Sequence, residues 1–224
     1  RQRFPAPGDP AAVRALVAPH AGYYYSGLCA AAAYQALLAG NNKNEHIKRV
    51  VILSPSHTVF YNGIALPDYT VYRTVLGDVP VDTAALARLK KSYLFKVFAD
   101  AHKTEHAVEV QLPLLQRTIA DFSIVPLVVG HLTPEDPLEA ARALGKIIDD
   151  QTLVVVSSDF VHYGPQFEYT PFDKELLANI RLVDSLAVHA LGQQSLSLFN
   201  QALQQTSATI CGQEPLRVLL ALLG

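Results

Sequence analysis

The stretch Val50-Val51-Ile52-Leu53-Ser54-Pro55-Ser56-His57 is the clearest indication of the fold in the sequence. Its four consecutive apolar residues are typical of a strand covered on both faces, because a strand with one face in water alternates apolar and polar residues. The proline that follows stiffens the chain where it leaves the strand. The stretch therefore predicts a buried strand over 50–53 that delivers His57 to one edge of a sheet.

Three further runs, at 13–18, 124–129 and 153–156, have the same continuous apolar character. Helix-like segments alternate with these strands and lie at 26–38, 83–91, 108–119, 137–148, 172–191, 195–204 and 214–223. This alternation predicts an α/β fold, a layered αβα architecture with a largely parallel or mixed central sheet. Because no internal repeat or low-complexity linker divides the sequence, we expect one domain over 1–224.

All four predicted strands end in polar segments with chemically active side chains. The first is followed by Pro19-His20, the second by Ser56-His57, the third by Gly130-His131 and the fourth by Ser158-Asp159 with His162. Parallel strands present their carboxyl ends at one edge, where open α/β sheets bind their ligands. The pattern favours a functional site at that edge over a set of solvated loop histidines.

The charge of the 224-residue chain is nearly balanced, with a formal net charge of −2. No run of like charges suggests a nucleic-acid groove, and no apolar stretch reaches the roughly 18 residues of a membrane span. We therefore expect a cytoplasmic protein that binds a small molecule or a peptide, without nucleic acid or membrane. The two cysteines, Cys29 and Cys211, lie in unlike contexts, which argues against a disulfide framework.

His20 and His57 are candidate metal ligands. Glycine and tyrosines follow His20, so the backbone can approach a ligand there and the aromatic rings can line a pocket. Serines precede His57 and can bond its second ring nitrogen, as supporting groups of ligand histidines do. Two histidines separated by 37 positions are a weak metal signal by themselves, and a solvated turn is the alternative for each.

Cys211 is the candidate thiolate. Pro215 suits the first turn of the helix predicted at 214–223, and a thiol near a helix N-terminus favours the thiolate form that binds metal. A buried structural cysteine is the alternative. Cys29 lies among alanines on a predicted helix, and we expect it to be a small packing residue.

Asp159 and His162 are candidate catalytic residues because they lie three positions apart after a predicted strand. The carboxylate can orient the imidazole, or both side chains can face the pocket as an acid/base pair. A helix cap and a surface histidine would explain the same two residues.

His106 is a further candidate and belongs to a cluster with Glu105 and Glu109. If this segment is helical, His106 and Glu109 share one face, a spacing that suits a metal or a proton relay. Acidic residues are also common at helix N-termini for electrostatic reasons alone, and the sequence leaves both explanations open.

Five ordered motifs together resemble the Memo family, which includes the component-B proteins of the bacterial AmmeMemoRadiSam gene neighbourhood. The motifs are Ala18-Pro19-His20-Ala21-Gly22-Tyr23 with Tyr25-Ser26-Gly27, Ser54-Pro55-Ser56-His57, Glu105-His106 through Glu109-Val110-Gln111-Leu112-Pro113, Ser157-Ser158-Asp159-Phe160 with His162-Tyr163-Gly164, and Thr209-Ile210-Cys211-Gly212. The resemblance extends over residues 14–223 and implies the fold of class III extradiol dioxygenases. It also implies a C-terminal strand beyond Gly224, which we expect to be missing from this chain.

By this resemblance, His20, His57 and Cys211 match the family's metal-site positions, while Asp159 and His162 match polar residues that line the same pocket. In the related dioxygenases two histidines and a glutamate hold Fe(II), and Cys211 stands where that glutamate would be. Because a thiolate is softer than a carboxylate, the implied cofactor is a divalent metal ion, with iron or copper favoured and zinc possible. Ring-opening dioxygenase activity therefore does not transfer directly.

Three functions remain open. The leading hypothesis is a metal-dependent, dioxygenase-like oxidoreductase in which His162, Asp159 and His106 are the catalytic side chains. A zinc-dependent hydrolase that activates water is a second hypothesis. The third is a non-catalytic module that binds a peptide or another ligand in the same pocket, since a fold fixes where chemistry occurs and not which chemistry it is.

Overall fold

The computed structural model describes residues 13–38 and 46–224. In chain order, its strands are β1 (Ala15–Ala18), β2 (Arg49–Pro55), β3 (Ile64–Leu66), β4 (Val71–Thr74), β5 (Gly77–Pro80), β6 (Phe95–Val97), β7 (Ser123–Val129) and β8 (Thr152–Ser157). Its helices are α1 (Tyr23–Gln35), α2 (Thr83–Leu89), α3 (Ala99–Lys103), α4 (His106–Glu109), α5 (Leu112–Thr118), α6 (Asp136–Leu144), α7 (Leu176–Gly192), α8 (Leu196–Thr206) and α9 (Gln213–Leu223). A 3₁₀ turn covers Pro165–Phe167.

The main sheet is mixed and mostly parallel. Its strand order is β1-β8-β2-β7-β3-β6, and β4 pairs with β5 in a separate antiparallel ladder. The first four strands in this order run parallel to one another, whereas β3 is antiparallel to β7 and parallel to β6. Strands β2 and β8 are buried along almost their whole length, as their continuous apolar runs predict. The α/β class and the largely parallel or mixed sheet expected from the sequence are confirmed.

Helices flank this sheet in a layered αβα arrangement. Helix α9 packs against β2 and β8, with α6 and α8 against α9, while α4 contacts β2 and α1 contacts β1 and α5. Apolar residues from these elements form one extensive hydrophobic cluster. Burial of each large apolar side chain contributes roughly 1.5–3 kcal/mol, so this cluster is the main source of stability. Within residues 13–38 and 46–224, every helix is too short or too polar to cross a membrane.

Several helix predictions are wrong in detail: α1 covers Tyr23–Gln35 and not 26–38, and α6 ends at Leu144 and not at 148. The helix predicted at 108–119 is two helices, α4 and α5, because Pro113 has no N–H to donate to the carbonyl of Glu109. The helix predicted to begin at 172 begins at Leu176, because Glu175 has left-handed backbone angles (φ 48°) that a right-handed helix does not include. The short strands β3 to β6 are not predicted, because three or four residues give no clear periodicity.

Cys29 is exposed on α1, so the prediction that it is a packing residue is wrong. The buried positions of this helix are Ala30 and Tyr34, and Cys29 lies one residue, or about 100°, away from that row. Helix α1 contains no charged residue, so its sequence offers no contrast between an inner and an outer face.

Candidate metal centre

Three adjacent parallel strands bring predicted site residues to one edge of the sheet. His20 follows β1, Asp159 follows β8 and His57 follows β2, and these three strands are neighbours in that order. Because the strands are parallel, the segments that leave their carboxyl ends lie side by side. His131, which follows the next strand β7, is exposed.

Cys211 reaches the same edge from the loop that precedes α9. Gly212 permits this approach, because a Cβ at position 212 would lie 2.3 Å from the Cβ of Ser158, far inside van der Waals contact. The backbone N–H of Gly212 donates to the Ser158 hydroxyl at 3.1 Å. The backbone N–H of Asp159 donates to the Cys211 sulfur at 3.3 Å, which fixes the thiol beside the end of β8.

Two groups of ligand-capable side chains overlap at His20. One contains His20, His57 and His106, the other contains His20, Asp159 and Cys211, and within each group the candidate ligand atoms lie within 4.8 Å of one another. His20 Nε2 is 3.3 Å from Cys211 Sγ and 3.7 Å from Asp159 Oδ2. The His57 ring centroid lies 5.0 Å from that of His20 and 4.9 Å from that of His106. The set predicted from the sequence, His20, His57 and Cys211, therefore spans both groups.

Glu105 holds His57 in place. Its carboxylate accepts hydrogen bonds from Nδ1 of His57 at 2.9 Å and from the backbone N–H of the same residue at 2.8 Å. Burial raises the pKa of Glu105, but hydrogen bonds from His57 and from the N–H of Ala107 outweigh burial and lower that pKa. The serine support expected for His57 does not occur, because Ser56 donates to the carbonyl of Val59.

The electrostatics of the cluster favour a thiolate. Burial raises the pKa of Cys211, but hydrogen bonds with His20 and His57 outweigh it and lower that pKa from 9.0 to about 6. Hydrogen bonds with Cys211 and Glu105 raise the pKa of His57 to about 10, although burial opposes the shift. Near pH 7 the metal-free site therefore pairs a thiolate with an imidazolium, and a metal ion must displace the proton of His57.

Asp159 lies against His20, not beside His162. Its Oδ1 accepts hydrogen bonds from the backbone N–H of His20 at 2.9 Å and of Ala21 at 3.4 Å. His162 places Nδ1 2.8 Å from the carbonyl oxygen of Thr209, and the Thr209 hydroxyl donates to the carbonyl of His162 at 2.6 Å. Thr209, and not Asp159, is thus the group that orients His162. Neither ligand group found among the described residues includes His162.

His106 forms the outer part of the cluster. Its side chain is half exposed, and its Nδ1 lies 3.4 Å from Glu105 Oε1. Burial lowers the pKa of His106, and the nearby Glu105 carboxylate partly offsets that effect. The expected partner Glu109 is exposed at the end of α4 and belongs to neither ligand group, so Glu105 takes the place that the sequence suggested for Glu109.

Three buried polar residues, Glu105, Gln111 and Ser157, lie behind the cluster. The sequence analysis proposes no site role for Gln111 or Ser157 and places Glu105 only in the cluster with His106. Each lies in one of the motifs that resemble the Memo family, and those motifs are the sequence signal that could have identified them. Their pairing is not local, however, because Gln111 and Ser157 are 46 positions apart and 48 positions separate His57 from Glu105.

The fold and the histidine- and cysteine-lined sheet edge define a class of layered α/β proteins with a metal-capable centre. A family model described as Memo-like protein matches residues 3–224. Protein MEMO1 of Xenopus tropicalis is 36% identical over 216 residues, covering 92% of this chain and 71% of the relative. Protein MEMO1 of Homo sapiens is 34% identical over 216 residues, with the same 92% and 71% coverage. The chain belongs to the Memo family.

The likeness extends to a solved structure. The crystal structure of uncharacterized protein JW3007 from Escherichia coli K12 matches with a TM-score of 0.55 and 18% sequence identity, covering 92% of this chain and 88% of that chain. At this level of identity the match supports the fold alone.

Proposed function

We propose that this Memo-family chain, taken as one domain over 1–224, is a metal-dependent oxidoreductase that holds one iron or copper ion on His20, His57 and Cys211. The observation that carries the proposal is the 3.3 Å approach of Cys211 Sγ to His20 Nε2, in a cluster that lowers the pKa of the thiol to about 6. One thiolate and two imidazoles are a donor set that suits copper and iron, and also zinc. The proposed substrate is a small molecule.

The donors fit such an ion. Nδ1 of His57 is engaged by the Glu105 carboxylate, which leaves Nε2 for the metal. The thiolate of Cys211 and the buried carboxylate of Glu105 both offset the positive charge of a divalent ion. His106 and Asp159 are further ligand-capable groups around the same shared histidine, His20.

The chain's own side chains support proton transfer and substrate binding. A bound iron or copper ion would supply one-electron chemistry and an open coordination position. Because Nδ1 of His162 faces the Thr209 carbonyl, Nε2 is the nitrogen of His162 that can take or give a proton. The half-exposed imidazole of His106 is available to a polar atom of the substrate. The carboxylate of Asp159 fixes the backbone that carries His20.

Binding of a peptide or another ligand without turnover is a second candidate function. Tyr24 and Tyr25, in the first turn of α1 just after His20, are 93% and 84% exposed, and their rings contact each other edge to face with centroids 5.1 Å apart. Exposed tyrosines offer a large apolar area with a polar tip, a combination that is common at recognition surfaces. Tyr23 is held by a hydrogen bond from its hydroxyl to the Val110 carbonyl, so it supports this turn.

Metal analysis and titration distinguish these functions. The chain is purified without chelator or affinity metal, and then titrated anaerobically with Fe(II), Cu(I) and Zn(II), as wild type, as His57→Ala and as His189→Ala. His189 is an exposed histidine of α7 outside the cluster, and it serves as the matched control.

We expect one ion per chain, lost in His57→Ala and retained in His189→Ala, and reversible oxidation of the iron or copper form. Binding of zinc without iron or copper would favour the zinc-dependent hydrolase. Absence of binding by all three metals would overturn the proposal and leave the ligand-binding module as the function.

A further inference from the structure

Ser157, the last residue of β8, stands behind His20 and uses its full hydrogen-bonding capacity. The residue is completely buried, and its Oγ lies 2.7 Å from the carbonyl oxygen of Ala107, 2.8 Å from Nε2 of Gln111 and 2.9 Å from Nδ1 of His20. A serine hydroxyl has one proton to donate and two lone pairs that accept. Three partners therefore occupy every position that this oxygen offers.

The amide of Gln111 is fixed in one orientation by its other partners. Its nitrogen donates to the Pro19 carbonyl at 3.0 Å, and its oxygen accepts from the Tyr34 hydroxyl at 2.9 Å. A turned amide would place its oxygen against the Pro19 carbonyl oxygen, which has no proton to donate. Gln111 therefore presents an N–H to Ser157. Gln111 and Tyr34 are both buried, so bulk water does not compete for these bonds.

These assignments determine where His20 carries its proton. The Ala107 carbonyl only accepts, so the hydroxyl proton of Ser157 must point to it. One lone pair of Ser157 accepts the N–H of Gln111, and the other requires a donor from Nδ1 of His20. Nδ1 therefore carries a proton, so Nε2, which is hydrogen-bonded to Cys211 in the metal-free chain, is the ring nitrogen that can bind a metal ion once that hydrogen bond is broken. Nε2 is the atom that lies 3.3 Å from Cys211 Sγ.

We infer that Ser157 and Gln111, with Tyr34 behind them, are positioning residues that select the Nδ1–H form of His20 and direct Nε2 into the candidate metal centre. The neutral histidine ring in water prefers its proton on Nε2, where it would block a metal ion, so the chain has to oppose that preference. The hydrogen bond that one ring nitrogen makes sets the state of the other. The expected effect of these residues on metal affinity rests on the proposed function. The position of the His20 proton does not, because it can be measured in the metal-free chain.

Nitrogen-15 NMR of histidine-labelled, metal-free protein tests the proton position directly, since protonated and unprotonated ring nitrogens resonate in separate ranges. His20→Gln assigns the signal. We expect a protonated Nδ1 for His20 in the wild type, and loss of this preference in Ser157→Ala. Zn(II) affinity should fall about 10- to 100-fold in the same variant, the usual cost of removing a group that supports a ligand histidine.

Ser54→Ala is the matched control. Ser54 is equally buried on the adjacent strand β2, and its hydroxyl donates to the Leu127 carbonyl. We expect this variant to leave both the His20 signal and the Zn(II) affinity unchanged.

Gln111→Met is the second variant for this experiment, and it replaces Ser157→Ala if that variant does not fold. This variant keeps the Ser157 hydroxyl but removes the N–H that Gln111 donates to it. The hydroxyl can then turn and donate to Nδ1 of His20, so we expect a mixture of His20 with and without a proton on Nδ1. A wild-type His20 whose Nδ1 carries no proton, or an unchanged Nδ1 signal and Zn(II) affinity in Ser157→Ala, would overturn the inference. Loss of the Nδ1–H preference in a protein that binds no metal would support the positioning network and overturn the proposed metal function instead.

Discussion

The two ends of the central sheet carry polar clusters that differ in how their charged groups are paired. At the amino end, the Arg49 guanidinium donates to Asp82 at 2.7 Å and to Asp149 at 3.0 Å, and Thr152 donates to Asp149 at 2.6 Å. Each charge there meets an opposite charge. At the carboxyl end, the outer atom Nδ1 of His57 has a fixed carboxylate partner, whereas the inner groups are imidazoles and a thiol that face one another.

We interpret the first cluster as structural and the second as the proposed metal centre. Buried polar groups need partners, and in the amino-end cluster Arg49, Asp82 and Asp149 are partners of one another. At the carboxyl end it satisfies only the groups that hold the imidazoles, and the remaining donors suit an ion. We therefore expect substitutions at the carboxyl end to change metal affinity, and substitutions at the amino end to change stability.

The largest expected effect comes from Cys211→Ser. Because this change replaces the thiolate, it should abolish tight metal binding, while the fold remains intact because the residue lies in a loop before α9 and not in the apolar core. Metal content of the purified variant measures the loss of binding, and thermal unfolding tests whether the fold is intact. Unchanged metal content would remove Cys211 from the site.

Glu105→Gln should have the next largest effect at the same end. The substitution keeps the size of the side chain but removes the charge that supports Nδ1 of His57, so metal affinity should fall about 10- to 100-fold. Glu109→Gln, an exposed acid on the same short helix segment, is the control and should bind metal like the wild type. Equal affinities for all three proteins would show that Glu105 has only a structural role.

Arg49→Met should lower stability and leave metal binding unchanged, because Arg49 lies at the amino end of the sheet. Removing the guanidinium leaves the Asp82 and Asp149 carboxylates without their cation, and we expect a loss of about 1 to 3 kcal/mol in the free energy of unfolding, with metal affinity unchanged. Urea unfolding measures this loss. Arg142→Met, which breaks an exposed pair with Glu139, should cost less than about 1 kcal/mol. A loss of metal affinity in Arg49→Met would contradict the separation of the two clusters.

The sequence predicts the strand-end residues because their signal is local. A buried apolar run followed by His20, His57 or Asp159 identifies both the strand and its functional end, and parallel order then brings the ends together. The supporting residues are different, because Glu105 and Gln111 come from the α4–α5 region, whose position depends on packing against distant strands. The exposure of Cys29 was also beyond prediction, since the uncharged helix α1 has no polar face. The break between α4 and α5, in contrast, was readable from Pro113.

The smallest expected effect is the pH dependence of Cys211 reactivity. The folded-state pKa is lowered from 9.0 to about 6, so the thiolate is present above about pH 6 and is lost as the pH falls through that value. In the Cys29→Ala background, the rate of alkylation by iodoacetamide should therefore decline with a midpoint near pH 6, and His57→Ala should move the midpoint upward. A midpoint near 9.0 in the parent would show that the imidazoles do not stabilise the thiolate.

X-ray absorption spectroscopy of the chain loaded with one equivalent of Zn(II) identifies the side chains that bind the ion. We expect one sulfur ligand at about 2.3 Å and at least two imidazole nitrogens at about 2.0–2.1 Å. A coordination shell of nitrogen and oxygen without sulfur would contradict this expectation, because the ion would then lie on the group of three histidines and Cys211 would not be a ligand.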